Sequence, residues 1–352
     1  MRWRVLSIVA ALYTAQFIPL MFAFMALPII LRTEGHSAAT IGMIQIAMLP
    51  YLIKFLWAPW IDRYKPGRDR YKSWIVLLSL LHVASIAVLS LTDPAGDIMV
   101  LFVVFFIATL SVSTQDVAVD ALVISMLQPS ERSMGATLQN FGAYVGAIIG
   151  GFGFLYLYGK IGWTTALLLQ GAIFAIPLFA LRFVTEPVRP PGTPEVTYRN
   201  ALRFFTQPRI GSWLGILATM RVPMMMIMLP MRLMMVDQGM STEEIAVWFG
   251  LFAMSAGGGA TVLFGPLLRH LPRVFALYLV GILNIPVLVG IAYIATNFPD
   301  AIKYAIVLAW GVIALTDIVI YSGAMDKVRT ASPGYDYSAQ IDVYAVVGMF
   351  AD

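Results

Sequence analysis

The chain consists mainly of apolar runs of about 20 residues that are separated by short polar loops. A helix of that length crosses the roughly 30 Å hydrocarbon layer of a membrane and satisfies its own backbone polar groups there. The composition agrees, because 60% of the 352 residues are hydrophobic and only 12% are charged. We therefore expect an all-α polytopic membrane protein and not a soluble enzyme.

About ten runs are long enough to be complete spans, and part of an eleventh begins near Tyr337. A proline-rich polar connection at residues 185–209 separates six runs from about five later ones. We expect an N-terminal six-helix bundle at 1–184, a cytoplasmic linker at 185–209 and a C-terminal bundle at 210–352. Because the sequence stops at Asp352 inside an apolar run, we expect the C-terminal half to be incomplete. The complete runs cover residues 5–31, 40–61, 73–91, 98–126, 134–158, 162–184, 210–236, 242–267, 274–296 and 301–321.

The distribution of basic residues predicts the orientation. With the N-terminus inside, one set of alternate loops holds about 17 of the 23 Lys and Arg residues, and the other set holds about three. This excess is the positive-inside pattern, so we expect a multi-pass protein of the bacterial inner membrane with a cytoplasmic N-terminus. Because the basic residues follow the topology in this way, we expect no nucleic acid as a partner.

Two short segments recur about 203 residues apart. Residues 27–31 read LPIIL and residues 229–233 read LPMRL; GHSAATI follows the first from Gly35, and GMSTEEI follows the second from Gly239. An internal duplication of six spans is typical of transporters that are built from two parallel repeats. We therefore expect two pseudosymmetric six-helix halves.

The residue types exclude several kinds of chemistry. The chain has no cysteine, and its three histidines, His36, His82 and His270, lie in different segments without ligand spacing. We expect neither a metal site nor a cofactor. A membrane-embedded transferase or hydrolase would also have many spans, but it would usually show a polar cluster near one interface or a sizeable soluble loop. We therefore expect no enzymatic activity.

Charged residues are concentrated in the loop after the second apolar run. It reads APWIDRYKPGRDRYKSW from Ala58, so that Asp62 and Arg63 directly follow the membrane and Arg68 follows Gly67. This loop is similar to the cytoplasmic loop of major facilitators. The resemblance implies a latch in which a carboxylate at a helix end pairs with basic residues. The alternative is a basic loop that only sets the topology.

A longer stretch, residues 113–151, reads STQDVAVDALVISMLQPSERSMGATLQNFGAYVGAIIGG. It resembles the fourth and fifth spans of the AmpG-like branch of the major facilitator superfamily. That branch includes muropeptide permeases, acetyl-CoA transporters and siderophore permeases of the rhizobactin and pyochelin uptake type. Three further blocks resemble the same branch: TAQFIPLMFAFMALPIILR from Thr14, KFLWAPWIDRY from Lys54 and SPGYDYSAQ from Ser332. The resemblance implies the major facilitator fold and secondary transport.

The core of the longer stretch is Gln115, Asp116 and Asp120, and Glu131 and Arg132 stand in the loop after it. Asp116 and Asp120 are four residues apart and share one face of a helix. Intramembrane acids are by default candidates for proton relay or cation contact. For these two acids, coupling to protons or substrate and structural pairing both stay open. We expect Glu131 and Arg132 to form a cytoplasmic gate together with the latch described above.

Four other polar residues interrupt the apolar runs. Arg221, near mid-membrane in the seventh run, is the best single candidate for binding an anionic substrate group; alternatively it forms an ion pair with Asp116 or Asp317. Asp317 in the tenth run holds roughly the place of Asp116 in the first half. Gln16 in the first run is a further candidate for substrate or proton coupling. We expect Lys54 to snorkel to the membrane surface or to join the latch.

The seventh run also carries Pro223 and Pro230, with methionines at 224, 225, 226 and 228. The prolines favour bends, and the methionines suit either a surface for bulky ligands or a lipid-facing filler. The fifth run has a glycine every four residues, which indicates close helix packing. These glycines are Gly142, Gly146 and Gly150.

The function expected from the sequence is alternating access by two halves around a midplane cavity, driven by the proton gradient. From the blocks at Lys54 and Ser332 we expect import of a ferric-siderophore-type chelate. Muropeptide uptake is the alternative, and both solutes suit an arginine in a large cavity. A second alternative is a truncated form that does not transport. The sequence indicates no oligomeric partner.

Overall fold

The computed structural model shows helices throughout the part of the chain that it describes, which confirms the all-α expectation. It describes residues 3–96, 98–241, 244–245 and 247–349, with side chains for these residues except 223–230, 232–233 and 348–349. The side chains of Pro223, Pro230 and the methionines at 224–228 therefore lie outside the described set.

The helices follow the apolar runs in order. The first group is α1 (Trp3–Met21), α2 (Leu27–Thr33), α3 (Ala38–Gln45), α4 (Leu49–Ile53), α5 (Ala58–Arg63), α6 (Tyr71–Leu89), α7 (Ile98–Met126), α8 (Arg132–Ala147) and α9 (Phe154–Leu181). The second group is α10 (Tyr198–Leu202), α11 (Ile210–Asp237), α12 (Ala253–Leu268), α13 (Arg273–Asn297), α14 (Ile302–Asp326) and α15 (Pro333–Met349).

Eight stretches of the described chain are long and apolar enough to cross a membrane. One of them, Pro129–Leu181, has 53 residues and is interrupted at Gly162, whose φ of 75° and ψ of 175° are not helical. At 1.5 Å per residue it is far longer than one crossing needs, which leaves room for the fifth and sixth predicted spans. The number of about ten complete spans and the incompleteness of the second half stay predictions.

The second apolar stretch is interrupted near its middle. Helix α4 ends at Ile53, whose φ of −120° and ψ of 11° leave the helical region, and a 3₁₀ turn, Lys54–Leu56, follows before α5. Pro59 in the first turn of α5 has no N–H group and so cannot continue the ladder of the preceding helix. The interruption frees the backbone around Lys54 and Phe55 for contacts outside the helix.

The glycine stripe of the fifth span lies against α1, which confirms its interpretation as a packing surface. A Cβ atom at Gly142 would lie 2.7 Å from the backbone nitrogen of Thr14. A Cβ atom at Gly150 would meet the backbone oxygen of Ile18 at 2.1 Å. Only residues without a side chain allow this approach of the two backbones.

Helices of the two sequence halves are in direct contact. Helix α8 packs against α12 and α14, and α15 packs against α4, α5 and α7. Gly257 in α12 accommodates the ring of Tyr144, since a Cβ atom there would lie 2.4 Å from Cζ of that ring. The boundaries 1–184, 185–209 and 210–352 stay predictions, but the contacts place α15 between α11 and helices of the first half.

Candidate functional site

A cavity of about 630 Å³ lies between helices from both halves of the sequence. Its volume is in the range of small-molecule binding sites. The apolar part of its lining comes mainly from the first two apolar runs, including Phe17, Phe24 and Leu49. The charged and amide side chains in the lining are Gln16, Gln45, Lys54, Asp116, Asp120, Gln139, Arg221 and Asp342.

Four charged residues, Lys54, Asp116, Asp120 and Asp342, form what we call the base of the cavity. The Lys54 side chain is buried, with 5% of the residue exposed, and pairs directly with Asp116. Its Nζ also lies 3.9 Å from Oδ1 of Asp342, whose Oδ2 accepts a hydrogen bond from the N–H of Phe55 at 3.1 Å. Lys54 therefore lies in the cavity; it neither snorkels to the membrane surface nor joins the cytoplasmic gate, because a carboxylate neutralises it inside.

Asp120 is held by a separate set of hydrogen bonds. Its Oδ1 accepts from the hydroxyl of Tyr13 at 3.0 Å and, at 3.5 Å, from the amide of Gln139. The amide oxygen of Gln139 accepts in turn from the hydroxyl of Tyr337 at 2.6 Å. Asp116 and Asp120 thus face one cavity, as their spacing predicts, but each has its own partners, and no hydrogen bond joins them among the described contacts.

Arg221 lines the cavity from α11. Its guanidinium carbon lies 4.8 Å from the ring centroid of Tyr344, and the hydroxyl of Tyr344 donates to Oδ1 of Asp317 at 2.9 Å. Within the described side chains, Arg221 has no direct ion pair with Asp116 or Asp317, and its buried Nε has no hydrogen-bond partner. Tyr344 therefore stands between the two charges, and the guanidinium keeps donor capacity for a ligand.

The two glutamines and Asp317 take different positions. Gln16 lines the cavity, and its buried Oε1 has no partner among the described residues. Gln115 lies outside the lining and donates to Oγ of Ser79 at 3.3 Å. Asp317 is buried and also lies outside the lining, behind Tyr344. The structure therefore brings Gln16 together with Lys54 and the acids of α7, and it separates Gln115 and Asp317 from them.

The end of the bundle that carries the basic loops, here called the basic end, is closed by contacts between the halves. It is formed by residues 62–72, 184–189 and 326–336. Oδ1 of Asp62 accepts from the N–H of Gly334 at 3.1 Å and from the hydroxyl of Tyr71 at 2.9 Å, and Oδ2 accepts from the N–H of Tyr335 at 2.8 Å. These N–H groups belong to the first turn of α15, where the helix itself offers no acceptor and the helix dipole favours an anion. The carboxylate of the predicted latch thus caps a helix of the other half.

Arginines make the other contacts of the closed basic end. Nη1 of Arg132 lies 3.2 Å from Oδ1 of Asp326, and Nε of Arg273 lies 2.7 Å from its Oδ2. Arg189, in the connection between the halves, donates to the backbone oxygen of Ala331 at 2.8 Å. These contacts connect α8, α13 and α14 with the segment that leads into α15.

Three other residues of the predicted gate make local or surface contacts. Arg63 pairs with Glu195 at 2.8 Å on the surface. Arg68 is exposed and lines a surface cavity of about 470 Å³. Glu131 accepts from the N–H of Gln128 at 3.0 Å in a capping box before α8.

Sequence reasoning missed two charged features. Asp342 stands in the partial eleventh run, and the rule that singled out Asp317, an acid inside an apolar run, would have found it. The guanidinium of Arg329 donates two hydrogen bonds, of 2.7 and 2.6 Å, to Asp336 at the start of α15. Asp336 lies inside the SPGYDYSAQ block, and the resemblance of that block indicates no contact for it.

The Lys54–Asp116 pair generates a prediction about stability. Lys54→Met and Asp116→Asn should each lower the free energy of unfolding by about 3–5 kcal/mol, because each leaves one charge buried without its partner. The double variant should be more stable than either single variant. Thermal unfolding of the purified protein measures this, with Lys160→Met, at an exposed lysine, as the control. Losses that simply add in the double variant would contradict the pairing.

Asp62 is the titratable centre of the basic end and lies beyond the apolar stretch Ala38–Leu56. Burial raises the pKa of its carboxyl to about 6, although the N–H groups of Tyr335 and Gly334 and the Tyr71 hydroxyl act to lower it. The closed end therefore holds a proton on Asp62 more tightly than an exposed carboxyl would. The charged and titratable groups around it are Arg70, Tyr71, Arg189 and Asp336.

This pKa predicts a pH dependence. Because the folded-state pKa lies above the ordinary value of about 4, the contribution of Asp62 to stability is present below pH 4 and is lost as the pH rises through about 6. The wild-type unfolding temperature should fall between about pH 4 and pH 7, and Asp62→Asn should remove part of that fall. Asp237→Asn, at an exposed carboxylate, should keep the wild-type profile. Parallel profiles for all three proteins would refute the assignment.

Comparison with known proteins gives the family. The sequence pattern of the Major Facilitator Superfamily matches residues 8–351. A putative transporter, AmpG 4, of Rickettsia felis is 30% identical over 174 residues, which is 48% of this chain and 42% of that protein. The anhydromuropeptide permease of Escherichia coli K12 is 27% identical over 185 residues, which is 51% of this chain and 37% of that protein. The chain thus matches less than half of the length of these relatives.

Solved structures share the fold at low sequence identity. The human organic anion transporter MFSD10 (TETRAN) superposes with a TM-score of 0.76 at 14% identity, covering 98% of this chain and 91% of that chain. The fucose:proton symporter FucP of E. coli gives 0.74 at 16% identity, covering 98% and 89%. The all-helical major facilitator fold and the resemblance to AmpG-like proteins are confirmed. The chain belongs to the Major Facilitator Superfamily, with relatives in its AmpG-like branch.

Proposed function

We propose that this protein is a secondary transporter that moves an anionic solute together with protons by alternating access. The observation that supports this most is the base of the cavity, where Lys54 is buried together with Asp116, Asp120 and Asp342. Ionisable groups inside a membrane protein are costly and typically mark the path of a substrate or a proton. Here they line a cavity that helices of both halves share.

The contacts at the basic end support a direction for the cavity. Asp62 accepts a hydrogen bond from the first turn of α15, and Arg132 forms an ion pair with Asp326. These contacts close this end between the halves. We place the basic end in the cytoplasm of a bacterial cell because of the positive-inside distribution. The described state is then closed towards the cytoplasm. Residues 1–184 and 210–352 move as two bundles in this proposal, with 185–209 as their linker.

The solute that we propose is of the anhydromuropeptide type. Two observations support it: the named relatives include an anhydromuropeptide permease, and the cavity offers a guanidinium, Arg221, beside an apolar lining. A guanidinium suits a carboxylate, and the amides of Gln16 and Gln45 suit hydroxyl and amide groups. The ferric-siderophore chelate expected from the sequence has no specific support among these relatives and becomes the competing candidate.

Transport into proteoliposomes that contain this chain tests the proposal. With an acidic outside solution, radiolabelled anhydromuropeptide should accumulate, and an uncoupler should abolish the accumulation. Arg221→Gln should raise the half-saturating concentration at least about 10-fold, since a hydrogen bond to a charged group contributes about 1.5–3 kcal/mol. Arg199→Gln, at an exposed arginine, is the matched control.

A ferric siderophore is supplied to the same vesicles in parallel. If only the chelate accumulates, the transported solute is a ferric siderophore, as expected from the sequence, and not a muropeptide. Accumulation of neither compound would favour a form that does not transport. Accumulation that survives the uncoupler would contradict the coupling to protons.

A further inference from the structure

Asp342 connects the second half of the chain to the first at the base of the cavity. It stands on α15, and both of the described residues that contact its carboxylate belong to the interrupted second apolar stretch. The N–H of Phe55 donates to its Oδ2 at 3.1 Å, and Nζ of Lys54 lies 3.9 Å from its Oδ1. Phe55 can donate there because the helix is interrupted at Ile53. Asp342 is 2% exposed and lines the cavity.

The charges at the base do not balance when all of them are ionised. Three carboxylates, Asp116, Asp120 and Asp342, surround the single ammonium of Lys54. Uncompensated charge in a buried site is expensive, and a carboxylate there avoids the cost by taking up a proton. On the helices packed against α15, Tyr51 (α4), Arg221 (α11) and Tyr321 (α14) line the same cavity. Asp317 (α14) lies behind Tyr344, and Asp62 and Arg63 (α5) lie at the basic end.

Two of the three acids keep their partners when the halves separate. Asp116 is bound to Lys54, and both residues lie in the first half. Asp120 accepts from Tyr13 and Gln139, which also lie in the first half. These contacts can persist through a rigid movement of one half against the other. These contacts therefore do not link protonation of Asp116 or Asp120 to the movement of the halves.

Asp342 differs because its partners lie across the interface between the halves. When the basic end opens, α15 leaves the second apolar stretch, and the carboxylate loses both the N–H of Phe55 and the charge of Lys54. Lys54 stays neutralised by Asp116. A lone carboxylate in that position has to bind a proton or meet water before the movement is complete.

We propose that Asp342, and not the Asp116–Asp120 pair, binds the transported proton; this rests on the proposed function, proton-coupled transport. A hydronium ion in the cavity transfers a proton to one carboxylate oxygen of Asp342, so that one O–H bond forms, one breaks and a water molecule is left. The neutral carboxyl no longer attracts Lys54, so the contact at the base weakens and, once solute is bound as well, the basic end opens. On that side the proton leaves to water, and the carboxylate returns to Phe55 and Lys54 as the end closes.

The test compares two kinds of transport in proteoliposomes with radiolabelled anhydromuropeptide. Asp342→Asn, which mimics the protonated residue, should lower proton-driven accumulation at least about 10-fold. Exchange of labelled for unlabelled solute without a gradient should stay within about threefold of wild type. Asp342→Glu should recover part of the driven accumulation. Asp300→Asn, at an exposed carboxylate, should match the wild type in both assays.

Two outcomes of these assays overturn the proposal. Driven accumulation that persists in Asp342→Asn would show that the proton binds elsewhere. Loss of exchange together with accumulation, in a variant that still unfolds at the wild-type temperature, would make Asp342 a solute-binding residue instead.

A measurement without solute separates this inference from the proposed function. Infrared difference spectra of the protein in lipid, recorded between acid and neutral pH, show each carboxyl group that gains a proton. Buried Asp62 should also give a band in this pH range; besides it, the wild type should show a buried carboxyl band that disappears in Asp342→Asn and remains in Asp62→Asn and Asp300→Asn. If the band disappears but no muropeptide is transported, the solute is wrong and the proton site stands. If the band is unchanged in Asp342→Asn, the proton site is wrong, whatever is transported.

Discussion

The ammonium of Lys54 has to remain neutralised inside an apolar bundle, and the arrangement of the cavity depends on this constraint. Asp116 provides the neutralising charge from the same half of the chain, so the pair can move as a unit. Asp342 adds a second carboxylate from the other half at 3.9 Å. An unpaired charge is costly inside an apolar bundle, so the set of carboxylates that contact Lys54 depends on the conformation of the two halves. In our proposal, this charge, which is unfavourable for stability, couples the two halves.

Helix α15 connects the base of the cavity with the basic end. Its first turn binds Asp62, and Tyr337, two residues further along, donates to Gln139. Asp342 and Tyr344 follow on the same helix, the first at Lys54 and the second between Arg221 and Asp317. Separation of α15 from the first half would therefore break the latch and the contact at the base together. Helix α15 alone therefore connects a change in the contacts of the cavity with a change in the contacts of the basic end.

The sequence predicted the membrane class, the helical fold and the family well, because these depend on run length, composition and motifs that are read locally. It also placed Asp116 and Asp120 on one face, since helix periodicity alone decides that. It could not give the partner of Lys54, because that contact joins residues 62 positions apart and requires the interruption after Ile53. The sequence predicts ion pairs for the latch, whereas Asp62 accepts hydrogen bonds from backbone N–H groups. Every residue except proline carries such a group, so no motif reveals the contact. Asp342 was visible as an acid in an apolar run, but its role depends on a contact 287 residues distant.

The central claim is that a solute and a proton cross together through the shared cavity. Proteoliposomes loaded with a pH-sensitive dye, with equal pH on both sides, test it when anhydromuropeptide is added outside. The account predicts that the interior becomes acidic only when solute is present, at a rate that follows solute uptake and is lost when an uncoupler equilibrates protons. Solute entry without any acidification of the interior would contradict it.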